Sequence, residues 1–283
     1  MDQIAPESPI AETEILHMTV DMEKNVYSQS GEDGIIAKIL EVNGYSELPG
    51  IYVEIGANDG FHCSNTANLR AKGGKSLLIE SDIQHRESLT AIPDAEVKII
   101  EVTPENVVDL CRSMMDNPFV DVFSCDTDGD DVAITCAVLR AGLRPHILVV
   151  EYNPTFPPFL YRMNTHGRQQ GSSIKAAIDE ITRYDYDCVY ATISNVIFVD
   201  KKWTKQPFYG MNPFEAFRWD DVRFVCSDFD GQNHFATMTE IVNDVYNPWD
   251  RLPSAKIMHY SDRLLGFSKA KAKLRSLYNP YGE

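Results

Sequence analysis

Apolar and polar positions follow two periodic patterns along the middle of the chain. Short, almost continuously apolar runs have the length and composition of strands buried on both faces, and they lie at residues 51–55, 76–79, 96–101, 121–125 and 146–150. Segments whose apolar residues recur three or four positions apart predict helices at residues 30–43, 64–72, 104–115, 131–140 and 173–184. This alternation of strands and helices predicts a parallel sheet with helices on both faces.

Local signals mark the two ends of this region. Ser30 is predicted to cap the first helix, and Gly44 to end it. After the last helix, residues 188–192 and 196–200 predict a hairpin that turns at residues 193–195. The predicted fold class is therefore α/β, with a doubly wound, mostly parallel, seven-stranded Rossmann-like sheet that ends in an antiparallel hairpin.

The same alternation predicts the domain organisation. Residues 25–202 form the core, and residues 1–24 are predicted to be a loosely held arm. Residues 203–283 are rich in aromatic side chains and are predicted to cap the active site or to make a subunit contact, as in a homo-oligomer. Within this extension, residues 235–246 predict a helix. Residues 263–278 predict a basic amphipathic helix docked on the acidic body of the same chain, the alternative being an anionic membrane surface.

The charge balance limits the partners. The 283-residue chain has 42 acidic and 26 basic side chains, a formal net charge of −16 and an ordinary globular composition with 43% apolar residues. Because such an acidic surface repels phosphate backbones and anionic lipids, we expect no broad nucleic-acid binding. No apolar run approaches the roughly 20 residues of a membrane span, and residues 1–14 lack the features of a signal peptide. The six cysteines show no metal-binding spacing, so we expect reduced thiols in a cytoplasmic protein.

A glycine turn followed by a distant acid is the most informative pattern. The first predicted strand runs into the motif Glu54-x-Gly56-x-x-x-Gly60, and Glu80 ends the second strand twenty residues after Gly60. Glycines at such a turn allow a ligand to approach the backbone closely, and an acid at the end of the second strand can accept hydrogen bonds from both hydroxyls of a ribose. An acid at Glu54 disfavours a diphosphate and favours a cationic ligand, of which S-adenosylmethionine is one. The alternative is a turn that only joins the strand to the next helix.

Acidic side chains follow two neighbouring strands of the predicted sheet. Asp126 and Asp128 come after the fourth strand, and Glu151 and Asn153 follow the fifth. Because the carboxyl ends of parallel strands meet at one edge, we expect these side chains to converge. Their oxygens suit Mg²⁺, with Asp126, Asp128 and Glu151 as its ligands, and such an ion would lower the pKa of an acceptor hydroxyl. Without a metal, the same carboxylates can act as a general base or hold an amino group.

Three further residues near these strand ends have two interpretations each. Asp130 and Asp131 can belong to the site, or can simply cap the helix that follows. His166 lies in the long loop of residues 155–171 above the expected crevice, where it is a candidate base or an ordinary solvated histidine.

Several motifs together resemble one known family. They are YSQSGEDG at residues 27–34, EIGANDG at 54–60, LLIE at 77–80, FSCDTDG at 123–129, VVEYNP at 149–154 with FPP at 156–158, GSSIK at 171–175 and NVIF at 195–198. This set resembles the FkbM-like branch of S-adenosylmethionine-dependent methyltransferases, which has the class I methyltransferase fold. The resemblance covers about residues 27–200 and says little about the substrate.

The resemblance implies methyl transfer from S-adenosylmethionine to a hydroxyl of a small polar acceptor, such as a sugar, a polysaccharide or a secondary metabolite. The predicted cofactor-binding residues are Gln29, Glu32, Glu54, Gly56, Asn58, Gly60, Glu80 and Asp126. The predicted catalytic residues on the acceptor side are Asp128, Glu151 and His166. Two alternatives from other classes stay open: a non-catalytic cofactor-binding or assembly module, and a metal-dependent hydrolase built on the acidic cluster.

Overall fold

A seven-stranded sheet forms the centre of the molecule. The computed structural model describes residues 14–45, 49–115, 120–227, 233–236 and 258–261. The strands are β1 (Gly50–Ile55), β2 (Gly74–Glu80), β3 (Ala95–Ile99), β4 (Val122–Cys125), β5 (Ile147–Glu151), β6 (Tyr186–Ala191) and β7 (Asn195–Asp200). Their spatial order is β3-β2-β1-β4-β5-β7-β6, and β7 alone runs antiparallel to its neighbours in this sheet. This topology confirms the predicted fold class, a Rossmann-like sheet of the class I methyltransferase type.

Helices connect the strands and cover both faces. They are α1 (Glu32–Asn43), α2 (Ala67–Arg70), α3 (Arg86–Thr90), α4 (Val107–Leu110), α5 (Arg112–Met115), α6 (Asp131–Arg140), α7 (Ile174–Ile181) and α8 (Pro213–Ala216). Short 3₁₀ turns lie at Val20–Met22, Ile83–His85 and Thr182–Tyr184. Within the described parts of the chain, no helix combines the length and the apolar character that crossing a bilayer requires.

Side-chain alternation along the strands divides the core between the two faces. On β1, Tyr52 packs with α1 on one face, whereas Val53 and Ile55 pack with α4, α6 and α7 on the other. The α1 stripe that fills the first face consists of Ile35, Ile36 and Ile39, all at most 1% exposed. Because the period of a strand is two, Glu54 shares the α1 face with Tyr52, and this placement decides the contacts of Glu54 described below.

Several helices are shorter than the apolar periodicity predicts. The helix predicted at 64–72 occupies only α2, because the Ser64 hydroxyl and the neighbouring backbone are used in a turn in front of it. The helix predicted at 104–115 is broken at Cys111 into α4 and α5. Ser30 does not cap α1. Gly31 holds the N-cap position in a left-handed conformation, while Gly44 ends the helix as predicted.

The segment between β2 and β3 contains helical structure that the periodicity did not indicate. Asp82 caps the 3₁₀ turn by accepting a hydrogen bond from the Gln84 amide, and α3 follows directly. Leu89 and Ile92 of this segment are buried against Leu78 and Ala57. Two apolar anchors only three residues apart are too few to give a helical period in sequence, although Asp82 is a cap signal.

The two terminal extensions lie against the core where the structure describes them. Met18 of the predicted loose arm is 3% exposed, and the Leu16 backbone exchanges hydrogen bonds with the backbone of residues 207 and 209. Beyond α8, strands β8 (Val222–Ser227), β9 (Asn233–Ala236) and β10 (Met258–Ser261) form a three-stranded sheet of order β10-β8-β9.

The helix predicted at 235–246 is wrong at its first two residues, which belong to β9, because the alternation of residues 222–227 provides that strand with a partner. The rest of that helix and the tail at 263–278 fall outside the described residues. The division into arm, core and cap remains a prediction.

Candidate active site

The strand order reverses between β1 and β4, and sheets of this kind bind ligands in the crevice beyond the carboxyl ends of the strands at that point. Gly56 follows β1 with a φ of +78°, and a Cβ built at this position would lie 1.6 Å from the carbonyl oxygen of Asp126, which follows β4. The amides of Gly56 and Ala57 both donate to the carbonyl of Ile79, at 2.9 and 3.1 Å. Only glycine permits this approach, so the backbone after β1 is fixed against both neighbouring strands.

The carboxylate of Glu80 holds the glycine loop from the side of β2. Its Oε2 accepts a hydrogen bond from the Asn58 amide at 2.8 Å, and its Oε1 accepts from the Asp82 amide at 2.8 Å. Asn58 and Gly60 both have positive φ, and a Cβ at Gly60 would meet Ile92 at 2.4 Å. Loop 56–60 and the predicted ribose-binding acid therefore form one preorganised unit.

Glu54 is engaged inside the protein. It is 3% exposed, and its oxygens accept hydrogen bonds from the Ser64 and Thr66 hydroxyls at 2.7 and 2.6 Å and from the Asn65 amide at 2.8 Å. The guanidinium of Arg70 lies 3.7 Å from Glu54 and also donates to the Gly60 carbonyl. Glu54 thus ties the chain after the glycine loop to β1, a role that spacing in the sequence did not suggest.

The segment before α1 also uses its acids internally. Glu32 is fully buried and accepts hydrogen bonds from the Thr192 hydroxyl at 2.6 Å and from the Asn195 side-chain amide at 3.0 Å, both in the β6–β7 turn region. One oxygen of Asp33 accepts three backbone amides, those of residues 26, 27 and 28. Gln29, another predicted cofactor contact, is exposed. The segment is therefore a rigid flank of the crevice.

The predicted acidic cluster is brought together by the sheet. One carboxylate oxygen from each of Asp126, Asp128 and Glu151 lies within 4.8 Å of the others, a spacing that can hold a metal ion. Burial, followed by the charges of Asp131 and Asp128, raises the pKa of Asp126 to about 7. Burial and the charge of Asp126 raise the pKa of Glu151 well above its usual range. Near neutral pH this group of carboxyls therefore retains a proton in the absence of a cation.

Because these carboxyls retain a proton, the free energy of unfolding of the protein without ligand is expected to depend on pH. A carboxyl whose pKa is raised in the folded state binds protons more tightly there than in the unfolded chain, so its ionisation lowers stability as pH rises from about 4 towards 7. Substituting Asp126→Asn removes this loss. The gain in unfolding free energy of the variant over the wild type should therefore be about 2–4 kcal/mol larger at pH 8 than at pH 5. Urea unfolding at both pH values measures the difference. The exposed Asp128→Asn is the control with a smaller effect, and parallel pH profiles of wild type and Asp126→Asn would contradict the expectation.

Neither Asp130 nor Asp131 caps α6 through a side chain. Asp131 is 1% exposed and accepts hydrogen bonds from the Thr127 amide and hydroxyl and from the Gly129 amide, which fixes the turn after β4. Burial raises the pKa of Asp131 to about 6, although the bonds from Thr127 oppose that shift. The interpretation of these acids as helix caps is wrong, because the turn and a loop residue use their oxygens instead.

His166 pairs with Asp130. Its Nδ1 lies 2.6 Å from one oxygen of Asp130, and the other oxygen accepts the side-chain amide of Asn164 at 2.7 Å. The hydrogen bond and the charge of Asp130 raise the pKa of His166, whose side chain is 67% exposed. This pair anchors the loop after β5 to the start of α6. In the structure His166 contacts Asp130, and its role as a base remains a prediction.

The electrostatic character of the crevice is set by four loops at the strand ends, residues 56–60, 80–82, 126–131 and 151–153. Together they contain eight carboxylates and no lysine, arginine or histidine. Cys63 lies close to this field, since burial and the charges of Asp126, Glu32 and Asp59 raise the pKa of its thiol. A raised thiol pKa does not suit a nucleophile, and the cysteines with described side chains, at 63, 111, 125, 136 and 188, are free.

The comparisons with known proteins found only distant structural similarity. No family model and no curated protein matches the sequence. Among solved structures, the chain is similar to a TehB-like S-adenosylmethionine-dependent methyltransferase from Corynebacterium glutamicum, with 11% identity, a TM-score of 0.38 and coverage of 59% of this chain and 87% of that one. It is also similar to precorrin-6y C5,15-methyltransferase from Geobacter metallireducens, with 14% identity, a TM-score of 0.36 and coverage of 66% of this chain and 98% of that one. A third similar structure is spermidine synthase from Thermotoga maritima, with 16% identity, a TM-score of 0.34 and coverage of 68% of this chain and 64% of that one. Similarity at this level does not establish a shared activity, and the fold assignment rests on the strand order itself.

Proposed function

We propose that this chain is an S-adenosylmethionine-dependent methyltransferase that acts on a hydroxyl of a small polar acceptor such as a sugar, a polysaccharide or a secondary metabolite. The observation that carries the proposal is the crevice at the reversal of strand order, lined by the Gly56 turn and by loops with eight carboxylates and no basic residue. Such a field disfavours a dinucleotide diphosphate and favours the sulfonium and ammonium groups of the proposed cofactor. The motif resemblance to the FkbM-like branch supports the same class.

The preorganised loop and Glu80 fit the adenosyl part of the cofactor. Gly56 and Gly60 let the loop pack closely against the backbone of Asp126 and against Ile92, which fixes the loop in place. The oxygens of Glu80 lie at the end of β2, where ribose hydroxyls are bound in such sheets. Asp126 would accept the ammonium of the methionine end. When bound, S-adenosylmethionine supplies an electrophilic methyl group. Glu54 and Glu32 would contribute by holding the surrounding segments, because both are buried and hydrogen-bonded within the protein, whereas Glu80 is only partly buried.

The acceptor-side chemistry assigned to the chain is proton removal. Burial and the charge of Asp126 raise the pKa of Glu151 well above its usual range, which makes its carboxylate a stronger base for the hydroxyl proton. S-adenosylmethionine would supply the methyl group, its sulfur would keep the electron pair of the broken carbon–sulfur bond, and the carboxylate of Glu151 would receive the proton of the acceptor hydroxyl. The enzyme's main contribution would be the alignment of the two reactants.

The three-carboxylate cluster also fits Mg²⁺ by donor type and spacing. If an ion is present, Asp126, Asp128 and Glu151 would hold it, and it would orient the acceptor hydroxyl and increase its acidity. Titration with Mg²⁺ in the presence and absence of the proposed cofactor separates a metal-assisted transfer from one that uses the carboxylates alone.

Substituting Glu80→Gln is expected to weaken S-adenosylmethionine binding about 10–100-fold, because a charged acceptor of two hydroxyl donors is replaced by a neutral amide. Isothermal titration calorimetry with S-adenosylmethionine and S-adenosylhomocysteine measures this change. Glu96→Gln, which alters a carboxylate 40% exposed on the adjacent strand β3, is the matched control and should bind as the wild type does.

The outcomes separate the proposal from its alternatives. Cofactor binding that depends on Glu80, followed by release of S-adenosylhomocysteine with an acceptor, supports a methyltransferase. Binding without transfer to any acceptor would favour a cofactor-binding or assembly module. Hydrolysis that needs a divalent metal and no S-adenosylmethionine would favour the acidic cluster as a hydrolase site, and equal affinity of Glu80→Gln and wild type would count against the adenosyl pocket itself.

A further inference from the structure

Two aromatic rings stand exposed beside the glycine loop. Phe61 is 48% exposed and Tyr27 is 36% exposed, and their ring centroids lie 6.1 Å apart with an interplanar angle of 44°. Large apolar side chains normally gain about 1.5–3 kcal/mol from full burial, and these two rings, at 48% and 36% exposure, forgo a substantial part of that gain. The pair forms an aromatic surface that faces solvent, which we call the aromatic platform.

The backbone under both rings is held in place by hydrogen bonds. The amides of Phe61 and His62 donate to the Asp59 carboxylate at 2.8 and 2.7 Å. The Tyr27 amide donates to Asp33 at 2.8 Å. The Arg70 guanidinium lies 5.9 Å from the Phe61 ring centroid and donates to the Gly60 carbonyl, so the ring is supported from below by a cation that is itself paired with Glu54. The platform is thus preorganised without being buried.

The platform lies beside the glycine loop and the segment that leads into α1. Phe61 directly follows Gly60, the last residue of the glycine loop, and Cys63 two residues later lies in the field of Asp126 and Glu32. Tyr27 belongs to the segment that leads into α1, whose first residue Glu32 reaches the β6–β7 turn. The platform is therefore continuous with the glycine loop of the proposed cofactor site.

We infer that Tyr27 and Phe61 form the docking platform for the methyl acceptor, and that this acceptor presents an uncharged ring. This inference rests on the proposed function. Aromatic faces bind the apolar face of a sugar or another aromatic ring, so the exposed pair selects for ring-bearing compounds. The eight carboxylates of the adjacent loops repel phosphate and carboxylate groups, so phosphorylated or nucleotide-linked acceptors are disfavoured.

Saturation-transfer NMR on the full chain loaded with S-adenosylhomocysteine tests the inference with three defined probes: methyl β-glucoside, catechol and glucose 6-phosphate. Methyl β-glucoside and catechol distinguish a sugar ring from an aromatic ring, and glucose 6-phosphate tests the exclusion of anions. We expect at least one uncharged probe to bind. Tyr27→Leu and Phe61→Leu should each weaken its binding about 3–10-fold, since they retain apolar bulk but remove a ring.

The control variant is Phe214→Leu, which removes a ring 53% exposed on α8 and should leave probe affinity unchanged. Equal binding by wild type and both platform variants, tighter binding of glucose 6-phosphate than of the uncharged probes, or no binding of either uncharged probe would overturn the inference. Calorimetry with S-adenosylhomocysteine is run on every variant. Intact cofactor binding with failed probe binding affects this inference alone, whereas absent cofactor binding in the wild type overturns the proposed function together with it.

Discussion

Replacing Glu54 by alanine is expected to destabilise the protein by about 3–5 kcal/mol, because it leaves a buried cation without its partner. The side chains of Glu54 and Arg70 are 4% and 7% exposed, and burial already lowers the pKa of Arg70 against the favourable charge of Glu54. The substitution also removes the acceptor for the Ser64 and Thr66 hydroxyls and for the Asn65 amide. Donors that are buried and unsatisfied each add their own desolvation cost.

Urea unfolding of Glu54→Ala at neutral pH measures this loss as a lower midpoint with an unchanged slope. Glu41→Ala is the matched control, because Glu41 also pairs with a basic side chain, Lys38 at 3.2 Å, but is 60% exposed. An exposed pair of this kind is worth at most about 1 kcal/mol. If both variants lost the same small amount of unfolding free energy, Glu54 would not be the anchor of the segment between Gly60 and Arg70. A direct contact between Glu54 and a cofactor would then be favoured.

Glu54 illustrates what sequence patterns can and cannot reveal about this site. The apolar runs predicted all seven strands of the central sheet, because burial on both faces leaves a compositional record in the interior strands, although the edge strand β3 has no fully buried residue. The same patterns placed Asp126 and Glu151 together, since the carboxyl ends of adjacent parallel strands meet. An acid next to a glycine turn, however, looks identical in sequence whether it faces a ligand or a buried arginine. The partners of Glu54 lie ten to sixteen residues away, a separation that no local period encodes.

The turn after β4 also shows that sequence patterns do not specify how an acidic side chain is used. Asp130 and Asp131 precede an apolar helical run, a context in which aspartate commonly caps a helix. In the structure, Asp131 instead closes the turn that contains Asp128, whose φ is +58°. His166 then reaches Asp130 from a loop more than thirty residues away. Local propensity predicted that a helix begins here, but tertiary contacts decided how each carboxylate is used.

The three-stranded sheet after residue 222 was missed for a related reason. Aromatic residues are frequent in the segment 203–224, and they are compatible with either a helix or a strand that packs on another surface. Strand β8 has both its partners, β9 and β10, farther along the chain. Pairing over such a distance depends on which edges are free in three dimensions, which hydrophobic spacing within β8 does not specify.

Substituting Gly56→Ala is expected to abolish high-affinity S-adenosylmethionine binding, with a loss of more than about 100-fold in affinity, and to cost more stability than a left-handed alanine alone. The new Cβ would lie 1.6 Å from the Asp126 carbonyl oxygen, so the backbone after β1 or β4 must move. Gly73→Ala is the matched control, because Gly73 also has a positive φ, +100°, but a Cβ there meets nothing within 4 Å. The control therefore carries only the conformational strain of about 1–2 kcal/mol.

Urea unfolding and calorimetry of the two variants separate two effects of the substitution. One is the loss of the close contact between the loops after β1 and β4, and the other is the strain of a left-handed alanine. Gly73→Ala should retain the wild-type affinity for S-adenosylmethionine, while Gly56→Ala should lose it even under conditions where the variant is fully folded. Because Gly56 positions the amide of Asn58 against Glu80 through the same loop, a displacement of the turn reaches both halves of the proposed pocket. A folded Gly56→Ala variant that binds the cofactor normally would show that the contact between β1 and β4 supports the sheet and is not the cradle of a ligand.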